Sequence, residues 1–359
     1  MSMRTELGES PDVVEGLLAS GRERVDRIAR EVRRRGIRLV VIAARGTSDH
    51  AAVYAQYVLG ARNGLVVAPA TPSLSSIYGS PPRLDEALVL GISQSGRSPD
   101  VVAVLEDGRR QGGLTAAITN DPSSELAAAA DTVLELGAGP ERAVAATKTY
   151  LAEIAVVAML SAALSNVDFS EAAPSASDGD GGGASDGAAD LERVPDAMRA
   201  ALGTEPRVAE LARERTAIEA CVVLARGFQY ATAREWALKL KELTGVLADP
   251  YSGADFQHGP ITIVDAGFPV LAVATRGPAL AGMASLLGTL RQRGARTLVL
   301  SDDAELRRLG DGVELPSLPE WLSPLAAIVP AQLFAYHLAL ARGLDPDAPP
   351  NLQKVTLTR

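Results

Sequence analysis

The sequence repeats itself once, at a constant spacing of 181 residues. The tripeptide Ala-Arg-Gly at residues 44–46 recurs at residues 225–227, and no gap is needed over the rest of the match. Three further positions recur at the same spacing: Gly96 as Gly277, Gly113 as Gly294 and Asp121 as Asp302. Because each copy has the same order of apolar segments, turns and helical segments, the repeat predicts two similar domains within the 359 residues.

Each copy contains three short apolar segments, at 39–43, 87–92 and 115–119 in the first and at 221–225, 270–274 and 297–301 in the second. These segments are almost continuously apolar, which is typical of parallel strands covered on both faces. Helical segments alternate with them, so we predict two α/β domains of flavodoxin-like type, each a parallel sheet flanked by helices. Ligands bind beyond the carboxyl ends of such strands, so candidate functional residues follow them directly.

Residues 165–190 consist almost entirely of Ala, Ser, Asp and Gly. Such a segment buries too little apolar surface to offset its ordering entropy, so we predict a flexible, disordered insert. The predicted organisation is an N-terminal helical segment (1–37), a first domain (38–164), the insert (165–192), a second domain (193–345) and a C-terminal tail (346–359) that contributes to the active site.

Composition excludes several classes of protein. The chain is 47% hydrophobic and 22% charged, and its net charge of −9 argues against nucleic-acid binding. We expect no membrane-spanning stretch of about 18 uncharged apolar residues, and the N-terminus lacks a signal-peptide core, so we expect a cytoplasmic protein without membrane contact. The single cysteine, Cys221, lies in an apolar segment and is interpreted as a core residue. The three histidines lack metal-ligand spacing, so neither a metal nor another cofactor is expected.

A serine-rich loop follows the second apolar segment of the first copy, reading Ser-Gln-Ser-Gly-Arg-Ser at residues 93–98. Pro99 fits the first position of a helix with Ser98 as its N-cap, and a helix N-terminus favours a phosphate. An ordinary capped turn is the alternative. The second copy keeps Gly277 but has none of these serines, which favours a function for them. Thr47 and Ser48 follow the first apolar segment at the same sheet edge, where a plain helix cap is again the alternative.

Charged residues at helical spacing follow the first apolar segment of the second copy. Glu235, Lys239 and Glu242 stand at i, i+4 and i+7, hence on one helix face. A solvated Glu–Lys ladder is the alternative to a functional cluster. His258, next to Gly259-Pro260, is predicted to lie in a turn, where a surface histidine is the competing interpretation. His337 falls in an apolar helical segment and is interpreted as a packed histidine.

Five motifs in this order carry a family resemblance: Gly46-Thr47-Ser48, Ser93-Gln94-Ser95-Gly96, Glu235-x-x-x-Lys239-x-x-Glu242, His258-Gly259-Pro260 and Asn351-Leu352-Gln353-Lys354. Together they resemble the tandem sugar-isomerase (SIS) domain family over nearly the whole chain except the insert. The nearest likeness is to the isomerase half of glucosamine-6-phosphate synthase and to the free-standing glucosamine-6-phosphate deaminases.

The resemblance implies a role for each matching residue. Isomerising an aldose phosphate needs a base beside C1 and C2, a group that opens the ring and polarisation of the carbonyl. Glu242 is then the base, His258 assists ring opening from the neighbouring subunit of a homodimer, and Lys354 contacts the sugar. Lys239 and Glu235 tune and position that site.

The resemblance also implies contacts to the substrate. The phosphate is expected on Ser93, Gln94, Ser95 and Ser98, with Thr47 and Ser48 nearby. Val144 and Gln353 are expected to line the sugar through their backbone.

Three departures from the synthase pattern are visible. Arg97 replaces a glutamate in the serine-rich loop, Ala146 replaces a serine, and the serine that follows the tail lysine is absent after Lys354. The loop is therefore more basic than that of the synthase, and one hydroxyl is absent.

The chain also lacks the N-terminal cysteine of the synthase's glutaminase domain, since Ser2 follows Met1. We therefore expect the hydrolytic direction, in which glucosamine 6-phosphate and water give fructose 6-phosphate and ammonia. Another sugar-phosphate aldose–ketose isomerase or a fructosamine-phosphate deglycase is the alternative on the same site. A non-catalytic sugar-phosphate-binding regulator is the alternative of a different class, although Glu242, His258 and Lys354 argue for an enzyme.

Overall fold

The computed structural model describes residues 3–165, 187–350, 352 and 354. The chain forms two compact units, each built around one sheet. The first unit comprises Asp12–Gly139 and Thr149–Arg193, and the second comprises Met1–Pro11, Pro140–Lys148 and Val194–Lys354. In this division an N-terminal segment and residues 140–148 belong to the same unit as the second sheet.

The first unit contains a five-stranded parallel sheet in the order β2-β1-β3-β4-β5. Its strands are β1 (Leu39–Ala44), β2 (Val66–Pro69), β3 (Ala87–Ile92), β4 (Leu114–Thr119) and β5 (Thr132–Glu135). Among the described residues up to Glu192, the helices are α1 (Met3–Ser20), α2 (Arg22–Arg34), α3 (Thr47–Asn63), α4 (Ser73–Ser76), α5 (Pro99–Arg110), α6 (Glu125–Ala129), α7 (Lys148–Ser165) and α8 (Gly187–Glu192).

The second unit contains a parallel sheet with the equivalent order, β10-β9-β8-β6-β7. Its strands are β6 (Ala220–Ala225), β7 (Leu247–Ser252), β8 (Pro269–Val273), β9 (Arg296–Ser301) and β10 (Asp311–Glu314). Its helices are α9 (Val194–Leu202), α10 (Glu205–Arg213), α11 (Tyr230–Thr244), α12 (Gly253–Gln257), α13 (Leu280–Gln292), α14 (Ala304–Arg307) and α15 (Ser323–Ala341), with 3₁₀ turns at Gly227–Gln229 and Pro260–Ile263.

The predicted fold class is confirmed, and the six predicted strands are present to within one residue at each end. The strands that the sequence did not reveal are β2, β5, β7 and β10, and all four lie at sheet edges. Edge strands are covered less completely than central ones, so their hydrophobic pattern is weaker. Pro69 in β2 and Pro250 in β7 obscured the pattern further, because proline is tolerated in a sheet mainly at its edges.

Two of the described helices, α7 and α15, are long and apolar enough by composition to cross a membrane. The expectation that the chain has no stretch of about 18 uncharged apolar residues is therefore wrong for α15, which contains no Asp, Glu, Lys or Arg. In each, most of the apolar window is buried inside the protein, 94% for α7 and 78% for α15. This is the burial that core helices of globular proteins show. It explains why their sequences are apolar on all sides rather than on one face.

The predicted insert at 165–192 is only partly described. Residues 166–186 lie outside the described residues. Ser165 ends α7, and Gly187–Glu192 form α8, so the helical structure extends into both ends of the segment. The predicted helical segment ahead of β1 contains α1 and α2, and the apolar residues of α2 are buried.

Candidate functional site

In the first unit, the serine-rich loop connects β3 to α5. Every residue of β3 is buried, and the chain emerges at Ser93, which is itself largely buried. Pro99 begins α5 with Ser98 as N-cap residue, as predicted, but the Ser98 hydroxyl makes no capping hydrogen bond. It lies instead 3.5 Å from the Ser93 hydroxyl. Both hydroxyls therefore lie close together within the loop.

The backbone of this loop depends on Gly96, whose φ is +63°. A Cβ atom at this position would lie 2.0 Å from Ser124 Oγ, so both the conformation and the space require glycine. The amide of Gly96 donates to the backbone oxygen of Ser93, at 3.1 Å, and to its hydroxyl, at 3.2 Å. Arg97, the residue that departs from the synthase pattern, extends towards Asp121, with 3.6 Å between guanidinium and carboxylate.

The turn after β1 lies beside the serine-rich loop, because β1 and β3 are adjacent parallel strands. The Arg45 guanidinium in this turn donates to the buried carboxylate of Asp100 at 2.6 Å, which ties the turn to the first turn of α5. Gly46 is the N-cap of α3, so Thr47 and Ser48 are its first two helical residues rather than caps. The Ser48 hydroxyl donates to Glu153 Oε1 at 2.8 Å, and would have to leave that carboxylate to reach a phosphate.

In the second unit, Glu235, Lys239 and Glu242 of α11 form a charged cluster. Lys239 Nζ lies 3.1 Å from Glu235 Oε1 and 2.6 Å from Glu242 Oε2. The side chains of Glu235 and Lys239 are fully buried, and that of Glu242 is 17% exposed. The alternative of a solvated ladder is therefore wrong. Glu242 is the one member of the cluster that solvent or a substrate can reach.

The electrostatics of the cluster follow from this burial. Desolvation alone would lower the pKa of Lys239, but the two carboxylates outweigh it and hold that pKa above its ordinary value. The lysine is therefore a fixed cation beneath Glu242. A buried ammonium at hydrogen-bond distance orients the Glu242 carboxylate and stabilises its charge.

His258 lies in a turn, as predicted, directly after α12 and before Gly259, whose φ is +138°. Its side chain is exposed on the second unit. His337, by contrast, lies on α15 with Nε2 2.9 Å from Glu205 Oε1, and Arg4 binds the same carboxylate. The interpretation of His337 as a packed histidine with a hydrogen-bond partner therefore agrees with the structure.

Lys354 is brought together with the loop that contains Val144. Its Nζ donates to Glu141 Oε2 and to the backbone oxygen of Ala143, each at 2.7 Å. Val144 itself is half-buried, as is Ala146. Gln353, the other predicted tail residue, lies outside the described residues. No sequence pattern indicates the role of Glu141, because the lysine that it binds lies 213 positions away along the chain.

Two further predictions concern side chains outside these clusters. Cys221 is buried in β6, and burial raises its pKa to about 12, so its thiol is a core group rather than a nucleophile. Among residues 3–165 and 187–350, together with 352 and 354, no group of three or more His, Cys, Asp or Glu side chains could hold a metal ion.

The loop of the second unit that corresponds to the serine-rich loop has a different environment. Gly277 has a φ of +152°, and a Cβ atom there would lie 2.3 Å from Glu320 Cδ. The Glu320 carboxylate therefore lies directly on this loop, and its partial burial raises its pKa. Thr275 bonds to Ser323, with 3.0 Å between the hydroxyls. The second loop thus contacts a carboxylate of its own chain where the first loop has serine hydroxyls.

Comparison with known proteins gives consistent matches. The SIS-domain profile matches residues 33–163 and 218–342. The glutamine–fructose-6-phosphate aminotransferase (isomerizing) of Methanothermobacter thermautotrophicus is 35% identical over 358 residues, covering 98% of this chain and 56% of that protein. The chain thus spans about half the length of the curated relatives it matches.

Two solved structures have similar folds. A candidate phosphosugar isomerase from Silicibacter pomeroyi is 35% identical, with a TM-score of 0.82 over 97% of this chain and all of that one. The glucosamine-6-phosphate deaminase of Thermotoga maritima is 19% identical, with a TM-score of 0.71 over 96% of this chain and all of that one. The second likeness shows the fold alone.

Proposed function

This chain belongs to the SIS-domain family, and from that premise we propose that it is an enzyme that isomerises a sugar phosphate by moving a proton between C1 and C2. The matches confirm the resemblance that the five motifs predicted. The similar aminotransferase carries the word isomerizing in its name, and the similar Silicibacter protein is named for phosphosugars. Both names support this class of reaction.

The observation that carries the proposal is the placement of Glu242. Its carboxylate is partly exposed, while the lysine that binds it is completely buried. An aldose–ketose conversion needs a base that takes a proton from one carbon and returns it to the next. Glu242 can do both, because the ion pair with Lys239 holds its carboxylate in place. Glu235, on the far side of Lys239, keeps the lysine charged and fixed.

The serine-rich loop supplies the proposed phosphate contacts. Ser93, Gln94, Ser95 and Ser98 lie at the carboxyl end of β3 and at the N-terminus of α5, where peptide N–H groups and the helix dipole favour an anion. The hydroxyls of Ser93 and Ser98 are close enough to bind one phosphate together. Thr47 and Ser48, at the start of α3, are the proposed secondary contacts.

We further propose that the substrate is glucosamine 6-phosphate and that ammonia is released. Glu242 removes the proton from C2 of the open-chain amino aldose and delivers it to C1. The amine loses one proton and the C1 oxygen gains one, so that C2 becomes an imine and C1 a hydroxymethyl group. Water then adds to C2, and the C2–N bond breaks to give fructose 6-phosphate and ammonia. His258, exposed on its turn, is the proposed ring-opening group, and it acts in the site of a second copy of the chain.

The test is a product assay with purified protein. Incubation with glucosamine 6-phosphate should yield fructose 6-phosphate and ammonia in equal amounts. Glu242→Gln should lower kcat by at least about a hundredfold, because a positioned base contributes about that much. Glu210→Gln, which removes an exposed carboxylate paired with Arg207, is the matched control and should retain full activity.

A panel of substrates separates the alternatives. Turnover of fructose 6-phosphate or of another hexose phosphate without ammonia would identify an isomerase, and turnover of a fructosamine phosphate would identify a deglycase. Binding of a sugar phosphate with no turnover of any panel member would indicate a regulator and overturn the proposal.

A further inference from the structure

Residues 140–147 form a loop without regular secondary structure, and two buried carboxylates organise it. Glu6 of α1 accepts hydrogen bonds from the amides of Arg142, at 2.5 Å, and Ala143, at 3.0 Å. Glu141 accepts one from the amide of Thr147 at 2.8 Å. Buried peptide N–H groups need such partners, so these carboxylates replace the hydrogen bonds that a helix or strand would supply.

Glu141 also reaches beyond the loop. Its side chain is fully buried, and its second oxygen accepts from Lys354 Nζ at 2.7 Å. The same ammonium donates to the carbonyl of Ala143. A buried carboxylate is stable only when it is paired and hydrogen-bonded, and here one oxygen binds the loop while the other binds the lysine.

We propose that Glu141 is a positioning residue that fixes Lys354 for contact with the sugar, an inference that rests on the proposed function. An ammonium group has three N–H donors. Glu141 and Ala143 take two of them, so at most one remains for a sugar oxygen, and its direction is set by the other two. The loop that binds Lys354 also contains Val144, the predicted backbone contact to the sugar. Glu141 therefore places two predicted sugar contacts relative to each other.

A double-mutant cycle tests whether Glu141 acts through Lys354. Glu141→Gln should lower kcat/KM by about tenfold or more, the loss that accompanies one hydrogen bond to a charged group. In a Lys354→Gln background, the same substitution should lower kcat/KM by less than about threefold, because the two residues act as a unit. Equal losses in both backgrounds would overturn the inference, since Glu141 would then act on the fold alone.

Trypsin cleavage after Lys354 is a second measurement, and it does not require activity. Cleavage needs the lysine side chain to enter the protease, so pairing with Glu141 should slow it. The released peptide 355–359, measured by mass spectrometry, should appear severalfold faster from Glu141→Gln than from the wild type. Asp107→Asn, which removes a buried carboxylate paired with Arg110, is the matched control and should match the wild type.

The two measurements distinguish the possible failures. If the wild-type protein turns over no sugar phosphate, the proposed function fails, but trypsin cleavage still shows whether Glu141 holds Lys354. If a folded Glu141→Gln variant is cleaved at the wild-type rate, the inference is wrong even where the enzyme is active.

Discussion

The two sheets have the same strand order, but the loops at their carboxyl ends have opposite character. In the first unit, serine hydroxyls surround Gly96 in the loop after β3. In the second unit, the Glu320 carboxylate lies on Gly277 in the loop after β8. Hydroxyls and peptide N–H groups favour an anion, whereas a carboxylate at the same place repels one. The two units therefore share a strand order, but their equivalent loops present different chemical groups.

The helices that follow the first strand of each sheet also differ, because the charged residues are in the second unit. Shifted by 181 residues, Glu235, Lys239 and Glu242 of α11 correspond to Tyr54, Val58 and Ala61 of α3. Tyr54 and Val58 are buried apolar side chains, as are most core residues. The second unit instead buries a lysine and a glutamate at these positions. The first unit has the same fold without buried charge at these positions, and this difference supports the proposal that the cluster of the second unit takes part in proton transfer.

The largest expected effect comes from breaking this charged cluster. Lys239→Met leaves Glu235 buried without its cation, so we expect the free energy of unfolding to fall by about 3–5 kcal/mol. Urea denaturation followed by circular dichroism measures the change. Lys241→Met, an exposed lysine on the same helix, is the matched control and should change stability by less than about 0.5 kcal/mol. Equal stability of the two variants would contradict the picture of an interdependent cluster.

The pH dependence of this effect follows from the raised pKa of Lys239. A group whose folded-state pKa is raised contributes stability that is complete below its unfolded pKa and is lost as the pH rises through the folded value. The stability difference between wild type and Lys239→Met should not decline from about pH 7 to about pH 9 through titration of this lysine, and should decrease only above about pH 10.

A smaller difference in stability is expected between alanine variants of the two equivalent glycines, Gly96 and Gly277. Gly96→Ala should destabilise the protein by about 3 kcal/mol, because a left-handed conformation and an overlap with Ser124 both oppose the new methyl group. Gly277→Ala should reduce stability by about 1–2 kcal/mol, since the overlap there is with the end of a flexible glutamate side chain. Thermal and urea unfolding of both variants would check the order, and the reverse order would contradict the assignment.

The smallest expected effect concerns substrate affinity. Ser93→Ala should raise KM by at least about tenfold with little change in kcat, because a hydrogen bond from the hydroxyl to a phosphate contributes about 1.5–3 kcal/mol to binding. Thr275→Ala, in the corresponding loop of the second unit, breaks contacts to Ser323 and Gln229 and should leave KM unchanged. Steady-state kinetics on both variants measure the contrast. A similar rise in KM for Thr275→Ala would contradict the proposal that only the loop of the first unit binds the phosphate.

The central strands were predictable from the sequence because they are buried on both faces and read as continuous apolar segments. The edge strands were not, because each has only one neighbouring strand and its side chains are partly exposed. The helix that carries Glu235, Lys239 and Glu242 was also predictable, but the spacing of these residues fits a solvated face and a buried cluster equally well. Only the packing around α11 decided between them.

The residues that organise the site were the least predictable. Glu6, Glu141 and Glu153 look like ordinary acidic residues in the sequence, yet each is buried with a partner that other parts of the chain supply. Glu6 binds amides more than 130 positions away, and Glu141 binds a lysine more than 210 positions away. No local pattern encodes such pairs, because their formation depends on which segments the folded chain brings together.

The sequence by itself determined the duplicated α/β architecture, the positions of the central strands and the residue types available for proton transfer and phosphate binding. These follow from hydrophobic burial and motif spacing, which act along the chain. The tertiary structure decided which charges are buried, that Ser48 donates to Glu153, and that Lys354 binds Glu141. Burial and pairing depend on neighbours distant in sequence, and they turn a carboxylate from a surface group into one that orients a lysine.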